Sequence, residues 1–163
     1  MTEWQTTPAP EVAALATRLR DLDWSWQLAD APRLAAEFGW RVVSERPGWV
    51  MLDTGFGTGS GTIFADDGRV ERIEIRVTGY AEDTEAGRTL VRDASAELEE
   101  AIEGALGAPT ARVVDDPVQI RWAGAEATLV QARQELSVWL WLVTNEALAA
   151  DDRDAEVDVQ GLL

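Results

Sequence analysis

The stretch Leu136-Ser137-Val138-Trp139-Leu140-Trp141-Leu142-Val143 is the longest strongly apolar run of the chain. In an extended strand, alternate side chains point to opposite faces. One face would carry Leu136, Val138, Leu140 and Leu142, and the other Trp139, Trp141 and Val143. A strand with one solvated face would alternate apolar and polar residues instead. The stretch therefore predicts one of two arrangements. Either the strand is central and both faces are covered, with the N-terminal helices as one cover, or one face is in contact with a partner.

Six earlier segments also have the two-residue period or the flanking turn residues of strands. Asp66-Asp67-Gly68 is a strong hairpin signal, and Arg46-Pro47-Gly48 is a good tight turn. In the segment after the hairpin, Ile73, Ile75 and Val77 alternate with charged residues, which predicts one core face and one water face. The predicted strands are residues 40–45, 49–53, 60–65, 70–78, 118–122, 127–133 and 136–144.

Three segments have the apolar spacing and the end signals of helices, and they span residues 8–22, 31–38 and 84–106. The buried stripe of the third helix is expected to include Leu90, Val91 and Leu98, and its other side to include Glu99. The fold class that follows is α+β. A mainly antiparallel sheet of about seven strands packs against two N-terminal helices and one long central helix. We expect residues 1–150 to form a single domain, since 163 residues is one domain's worth of chain. The acidic, weakly patterned residues 151–163 are expected to be a mobile tail.

The amino-acid composition excludes most familiar enzyme mechanisms. The chain has no His and no Cys, so imidazole and thiolate catalysis and the usual zinc ligands are missing. The acidic residues lie mostly at turns, on one helix side and in the tail, where solubility explains them. We therefore expect a protein that is not an enzyme, with no catalytic, cofactor-binding or metal-binding residues.

The charge balance makes nucleic acid an unfavourable partner, because 30 acidic residues against 14 arginines give a net charge of −16. The apolar run at residues 136–143 is too short to span a membrane. Since Met1-Thr2-Glu3-Trp4-Gln5 lacks the features of a secretory signal, we expect a cytoplasmic protein.

Two groups of residues are candidates for partner binding. The outer side of the long helix carries Glu97, Glu100 and Glu103, within a second half of the chain whose net charge is −12. An acidic surface accelerates encounter with a basic protein. Trp is enriched at binding hot spots, so an exposed face with Trp139 and Trp141 would prolong the complex.

The glycine-rich stretch of residues 55–61 lacks the lysine and the following helix of a phosphate-binding loop. Gly55, Gly57, Gly59 and Gly61 are two residues apart, so an extended strand would place them on one face without side chains. A mobile loop and a strip covered by a tryptophan are the alternatives. Trp40, Trp49 and Trp122 lie within strand patterns and are interpreted as core residues. Trp24 and Trp26, between two helices, are interpreted as core residues or as the wall of a ligand site.

The sequence resembles a family of small, acidic, uncharacterised actinobacterial proteins over about residues 10–145. The resemblance rests on Leu34-Ala35-Ala36-Glu37-Phe38-Gly39-Trp40, Leu106-Gly107-Ala108-Pro109-Thr110 and Val118-Gln119-Ile120-Arg121-Trp122. Similar proteins include immunity proteins of polymorphic toxin systems, which neutralise a toxin by binding it. The resemblance implies no particular site residue.

Three hypotheses follow for function. The first is a non-catalytic, cytoplasmic protein-binding domain that acts as an immunity-type inhibitor of a basic protein or toxin. The second is a secretion-chaperone-like domain that holds an extended client at the glycine stretch and the last strand. The third is a small-ligand domain whose pocket is lined by tryptophan.

Overall fold

The computed structural model describes residues 4–115 and 117–161 and contains one antiparallel sheet of eight strands. In chain order the strands are β1 (Arg41–Arg46), β2 (Trp49–Asp53), β3 (Thr58–Asp66), β4 (Arg69–Arg76), β5 (Ala111–Val113), β6 (Val118–Ala123), β7 (Ala127–Arg133) and β8 (Val138–Thr144). Their order across the sheet is β1-β2-β3-β4-β8-β7-β6-β5. The α+β class and the antiparallel sheet are thus confirmed.

The sheet consists of two meanders of four strands, β1–β4 and β5–β8, that join where β4 pairs with β8. In this pair Arg72 lies opposite Val143, Ile75 opposite Leu140, and Arg76 opposite Trp139. Because β8 lies between β4 and β7, both of its edges are hydrogen-bonded. The last strand is therefore central, which was one of the two expected arrangements.

Helices α1 (Ala9–Arg20), α2 (Ala31–Phe38) and α3 (Glu85–Leu106) cover one face of the sheet, called here the front face. The main core joins them to front-face strand residues, among them Leu52, Ile63, Ile73, Ile75, Leu129, Leu140 and Leu142. Helix α3 begins where the Thr84 hydroxyl accepts a hydrogen bond from the Gly87 amide, an N-cap that satisfies one free donor. It packs against α1 in the helical layer.

The opposite face, called the back face, is covered by α4 (Asn145–Gly161), which follows β8 directly. A second apolar cluster lies here and combines Val130, Ala132, Trp141 and Val143 with Leu148 of α4. Sequence analysis treated residues 151–163 as a mobile tail, whereas the structure places residues 151–161 in this helix. Residues 162 and 163 lie outside the described residues.

Strand β5 and helix α4 were not predicted from the sequence, and the reasons are physical. Strand β5 has only three residues, two of them exposed, so it offers no alternation to detect. Helix α4 carries acidic residues nearly all round, and within residues 145–156 it has one large apolar side chain, Leu148, so its sequence shows no apolar stripe. The sheet consequently has eight strands rather than about seven, and the described chain has four helices rather than three.

Some burial predictions were also corrected. Trp122 is buried as expected, with its indole N–H donating to the Gly107 carbonyl at 3.0 Å. Trp40 and Trp49 are only half-buried. Leu90, expected in the buried stripe of α3, is 44% exposed. No helix in the described residues is long and apolar enough to cross a membrane.

The packing of the central strand pair predicts that two leucine-to-alanine substitutions lower the free energy of unfolding by very different amounts. Leu140→Ala removes a fully buried side chain opposite Ile75 and should lower the free energy of unfolding by about 2–5 kcal/mol. Leu90→Ala is the matched control and should change it by less than about 0.5 kcal/mol. Urea unfolding followed by tryptophan fluorescence measures both, and equal losses would contradict the assigned packing.

Candidate protein-binding surfaces

The outer side of α3 holds the predicted acidic residues. Glu97, Glu100 and Glu103 are all exposed, because Val91, Leu98 and other residues on the opposite side of α3 fill the core. Successive members are three residues apart, which corresponds to a rise of about 4.5 Å, so the three carboxylates form a row along the helix. No salt bridge within residues 4–115 and 117–161 involves them. Their role in binding stays a prediction.

Glu99, expected on the same outer side, turns instead toward β5 and pairs with Arg112. This hydrogen bond and the negative charge of Glu99 raise the pKa of Arg112. A cavity of about 300 Å³ lies between α3 and strands β5 and β6, and its wall includes Arg92, Arg112 and Arg133. The acidic row therefore has a locally basic cavity beside it, which sequence analysis missed along with β5.

Trp139 and Trp141 lie on the back face, opposite to the helical layer that carries the glutamates. Trp141 is only 8% exposed and packs with Leu148 of α4, whereas Trp139 is half-buried. The covering element is thus α4 and not an N-terminal helix. Because the sheet separates the two predicted groups, Glu97, Glu100 and Glu103 cannot share one contiguous interface with these tryptophans.

Two arginines of the sheet hold α4 against the back face. Arg121 of β6 donates two hydrogen bonds of 2.9 Å to the carboxylate of Asp152, and this interaction holds the pKa of Asp152 below its usual range. Arg72 of β4 donates at 2.9 Å to Asp151. Parallel N–H groups of a guanidinium match the two oxygens of a carboxylate, so the Arg121 pair also fixes the helix orientation.

Asn145 fastens the start of α4. Its side-chain oxygen accepts from the Thr128 hydroxyl at 2.7 Å, and its side-chain amide donates to the carbonyls of Gly124 and Ala125 at 2.9 and 3.2 Å. These bonds tie the first residue of the helix to β7 and to the turn before it. The root of α4 is therefore fixed independently of the Arg–Asp pairs.

Arg76 of β4 is the center of an aromatic cluster at the other end of the back face. Its guanidinium carbon lies 4.2 Å from the centroid of the Tyr80 ring, 5.6 Å from that of Phe56 and 6.0 Å from that of Trp139. The side chain is 6% exposed and donates to the carbonyls of Thr78 and Phe56 at 2.8 and 3.0 Å. Cation–π contacts thus surround a buried arginine.

The glycine-rich stretch forms the wall of this cluster and is not an extended strip. Gly55, Gly57 and Gly59 have φ of 121°, 99° and 84°, values that side-chain-bearing residues rarely adopt. One oxygen of Asp53 accepts from the amides of Gly55 and Gly57, and the Gly55 bond contributes most to lowering the pKa of Asp53. Only Gly61 of the four lies within the regular pairing of β3 and β4. The expectation that all four share a face was wrong.

The polar side of β4 is also not a water face. Arg72 and Glu74 are half-buried and Arg76 is buried, since all three point toward the face that β8 lines with tryptophan. The sequence held a usable signal for this arrangement. A strand that is apolar on both faces, such as β8, predicts a sheet that is covered on both faces. The polar side chains of the neighbouring strand must then also point toward a covered face.

The site proposed for a chaperone client is not available for strand addition, because β8 is paired on both edges and the glycine stretch forms a turn.

The small-ligand hypothesis concerns a pocket wall formed by Trp24 and Trp26. Trp26 is buried in the core, whereas Trp24 lines a cavity of about 240 Å³ together with the polar residues Asp23, Ser25, Asp30, Arg33 and Glu37.

The chain is similar to a known protein family. Residues 10–144 match DUF6301, a family of unknown function, and the match ends one residue before α4 begins. The expectation of an uncharacterised family is confirmed. Neither the curated proteins nor the solved structures contain a match to this chain.

Glu74 predicts an unusual pH dependence. Burial raises its pKa, Arg72 opposes that shift, and Asp151 adds to it. The folded state thus binds the proton more tightly than the unfolded state, and stability is lost as pH rises through the raised pKa. Glu74→Gln should therefore raise the free energy of unfolding at pH 7. Its advantage over the wild type should vanish below the pKa of an unfolded glutamate, and urea unfolding at both pH values would measure it.

Arg76→Lys tests the aromatic cluster. Lysine keeps the charge but cannot donate to two diverging carbonyls from one planar group. We expect a loss of about 1–3 kcal/mol in the free energy of unfolding, together with faster amide exchange at residues 54–57. Arg69→Lys, at an exposed position of the same strand, is the control and should alter neither quantity.

Proposed function

The chain belongs to the DUF6301 family, and we propose that it is a non-catalytic protein-binding domain that recognises a basic partner through the outer side of α3. The observation that carries the proposal is the exposed row of Glu97, Glu100 and Glu103. Cytoplasmic location and an immunity-type role, in which the partner is a toxin, are the more specific form of the proposal.

Charge supports this form of recognition. The net charge of −16 attracts a cationic protein over a distance of about one Debye length, roughly 8–10 Å at physiological salt. The row on α3 then concentrates the field on one rigid element. Such steering raises the association rate and makes that rate depend on salt.

An apolar anchor next to the row would slow dissociation. Leu90 is 44% exposed and lies seven residues before Glu97, so both occupy nearly the same line on the helix surface. This assignment replaces the expected contribution of Trp139 and Trp141 to the same interface, because those side chains belong to the other sheet face.

An immunity-type inhibitor acts by covering its target and therefore requires no reactive group. Support for the toxin assignment comes from the resemblance of three segments, around residues 34–40, 106–110 and 118–122, to small acidic uncharacterised actinobacterial proteins, since proteins similar to these include immunity proteins. The acidic helix supplies a surface that a basic active site or a nucleic-acid-binding groove of a toxin would fit.

The test compares three forms of the protein as bait in lysate of its own organism at low salt. The wild type should retain a basic protein that elutes at moderate salt. The variant E97R/E100R/E103R should associate with that isolated protein at least about tenfold more slowly, with a flattened salt dependence. The control E45R/D66R/E71R has the same charge change on exposed residues of the first meander and should retain most of the rate.

Inhibition is then measured by co-expressing the captured protein with each form in a heterologous host. We expect growth rescue by the wild type and by the control, and weaker rescue by the α3 variant. Equal association rates for both triple variants would contradict the α3 interface. Retention of many clients through extended segments would favour the chaperone hypothesis.

A further inference from the structure

We propose that the part of the back face beneath α4 is a docking site for an acidic amphipathic helix of a partner protein, and that α4 is its resident, displaceable occupant. The site consists of Arg72, Arg121, Val130, Trp141 and Val143, here called the strap site. It lies on the face opposite to the acidic row of α3 and is independent of the proposed function.

The contacts of α4 define which chemistry the strap site accepts. Leu148 packs into the apolar cluster, and Asp151 and Asp152 pair with Arg72 and Arg121. On a helix, positions i, i+3 and i+4 share one side, so the pattern is an apolar residue followed three and four positions later by carboxylates. A partner helix with this pattern would present the same groups to the same surface.

The fit of α4 is incomplete, which leaves room for a better occupant. Among the described residues, the indole Nε1 of Trp141 is buried without a hydrogen-bond partner, and the buried Nε of Arg72 has only the Glu74 carboxylate oxygen at 3.6 Å, which is too long for a hydrogen bond. The two side chains are adjacent, since the guanidinium carbon of Arg72 lies 5.4 Å from the Trp141 ring centroid. Buried donors without acceptors carry a desolvation cost. A partner helix that adds a carboxylate or amide oxygen here would remove that cost.

The contacts that keep α4 on the back face are also weak. The carboxylates of Asp151 and Asp152 are 51% and 50% exposed, so solvent and salt screen both pairs. Within residues 145–156, apolar packing comes from Ala147 and Leu148. Beyond them Asp154 and Glu156 are exposed, and the last turn of the helix has no basic residue to offset its dipole. Among these described side chains, the contacts that hold α4 therefore lie in its first two turns.

Release of α4 would leave the domain intact. Asn145 remains bonded to Thr128, Gly124 and Ala125, so the chain opens after this residue and β8 keeps its pairing. The family match also ends at residue 144, one residue before α4 begins. The residues of the strap site lie within the matched range, and α4 lies beyond it.

The experiment uses the full chain and a labelled peptide of residues 145–161 as the probe. The opened variant L148A/D151N/D152N weakens the occupant and leaves the strap site unchanged. In the wild type, α4 occupies the strap site, so the peptide can bind only the fraction of molecules in which α4 is released. The opened variant has a larger such fraction and should bind the peptide at least about tenfold more tightly than the wild type. A peptide with D151N/D152N, and the opened variant with R121Q added, should both lose this binding.

Absence of peptide binding to the folded opened variant would overturn the proposal. Hydrogen exchange on the wild type gives a second test that requires no substitution. Amides of residues 149–156 should exchange through a local opening at least about tenfold faster than those of residues 139–143, and protection equal to that of β8 would overturn the proposal. The variant E97R/E100R/E103R should leave both results unchanged, which separates this proposal from the α3 interface.

Discussion

The pairing of β4 with β8 is the constraint on which the rest of the structure depends. It joins two meanders that are distant in sequence, through five residue pairs between 72–76 and 139–143. Ile73 and Ile75 meet Leu142 and Leu140 on the front face, which gives α1 and α3 a continuous apolar surface to cover. The same register sets Arg72, Glu74 and Arg76 beside the tryptophans of β8 on the back face.

This register explains why Arg76 is buried and Arg72 half-buried in a chain that is so acidic. A polar strand next to a strand with two apolar faces must place its charged side chains against aromatic rings. Arg76 is compensated by three rings and two carbonyls, and Arg72 by the Trp141 ring and the carboxylates of Glu74 and Asp151. Arginine suits these positions because its guanidinium is planar, weakly hydrated and able to stack. The back face is thus aromatic and cationic, while the outer side of α3 is anionic.

Sequence analysis was successful where a segment's own pattern determined its structure. The second helix, predicted at residues 31–38, has those bounds because Gly39 adopts φ of 76° and ends it. The acidic row on α3 followed from helical spacing and is exposed. Failures arose where a contact distant in sequence decides the outcome. Residues 151–161 are helical against Arg72 and Arg121, and Trp141 is covered by that helix; neither contact has a local signal.

The separation of the two surfaces constrains any account of how this protein binds others. Leu140 and Trp141 are adjacent in sequence, yet one contributes to the core under α1 and α3 and the other to the cluster under α4. A basic partner on α3 and an acidic helix at the strap site would therefore occupy opposite sides of one sheet without steric conflict. Net charge alone predicts only the first partner, because it averages over both faces.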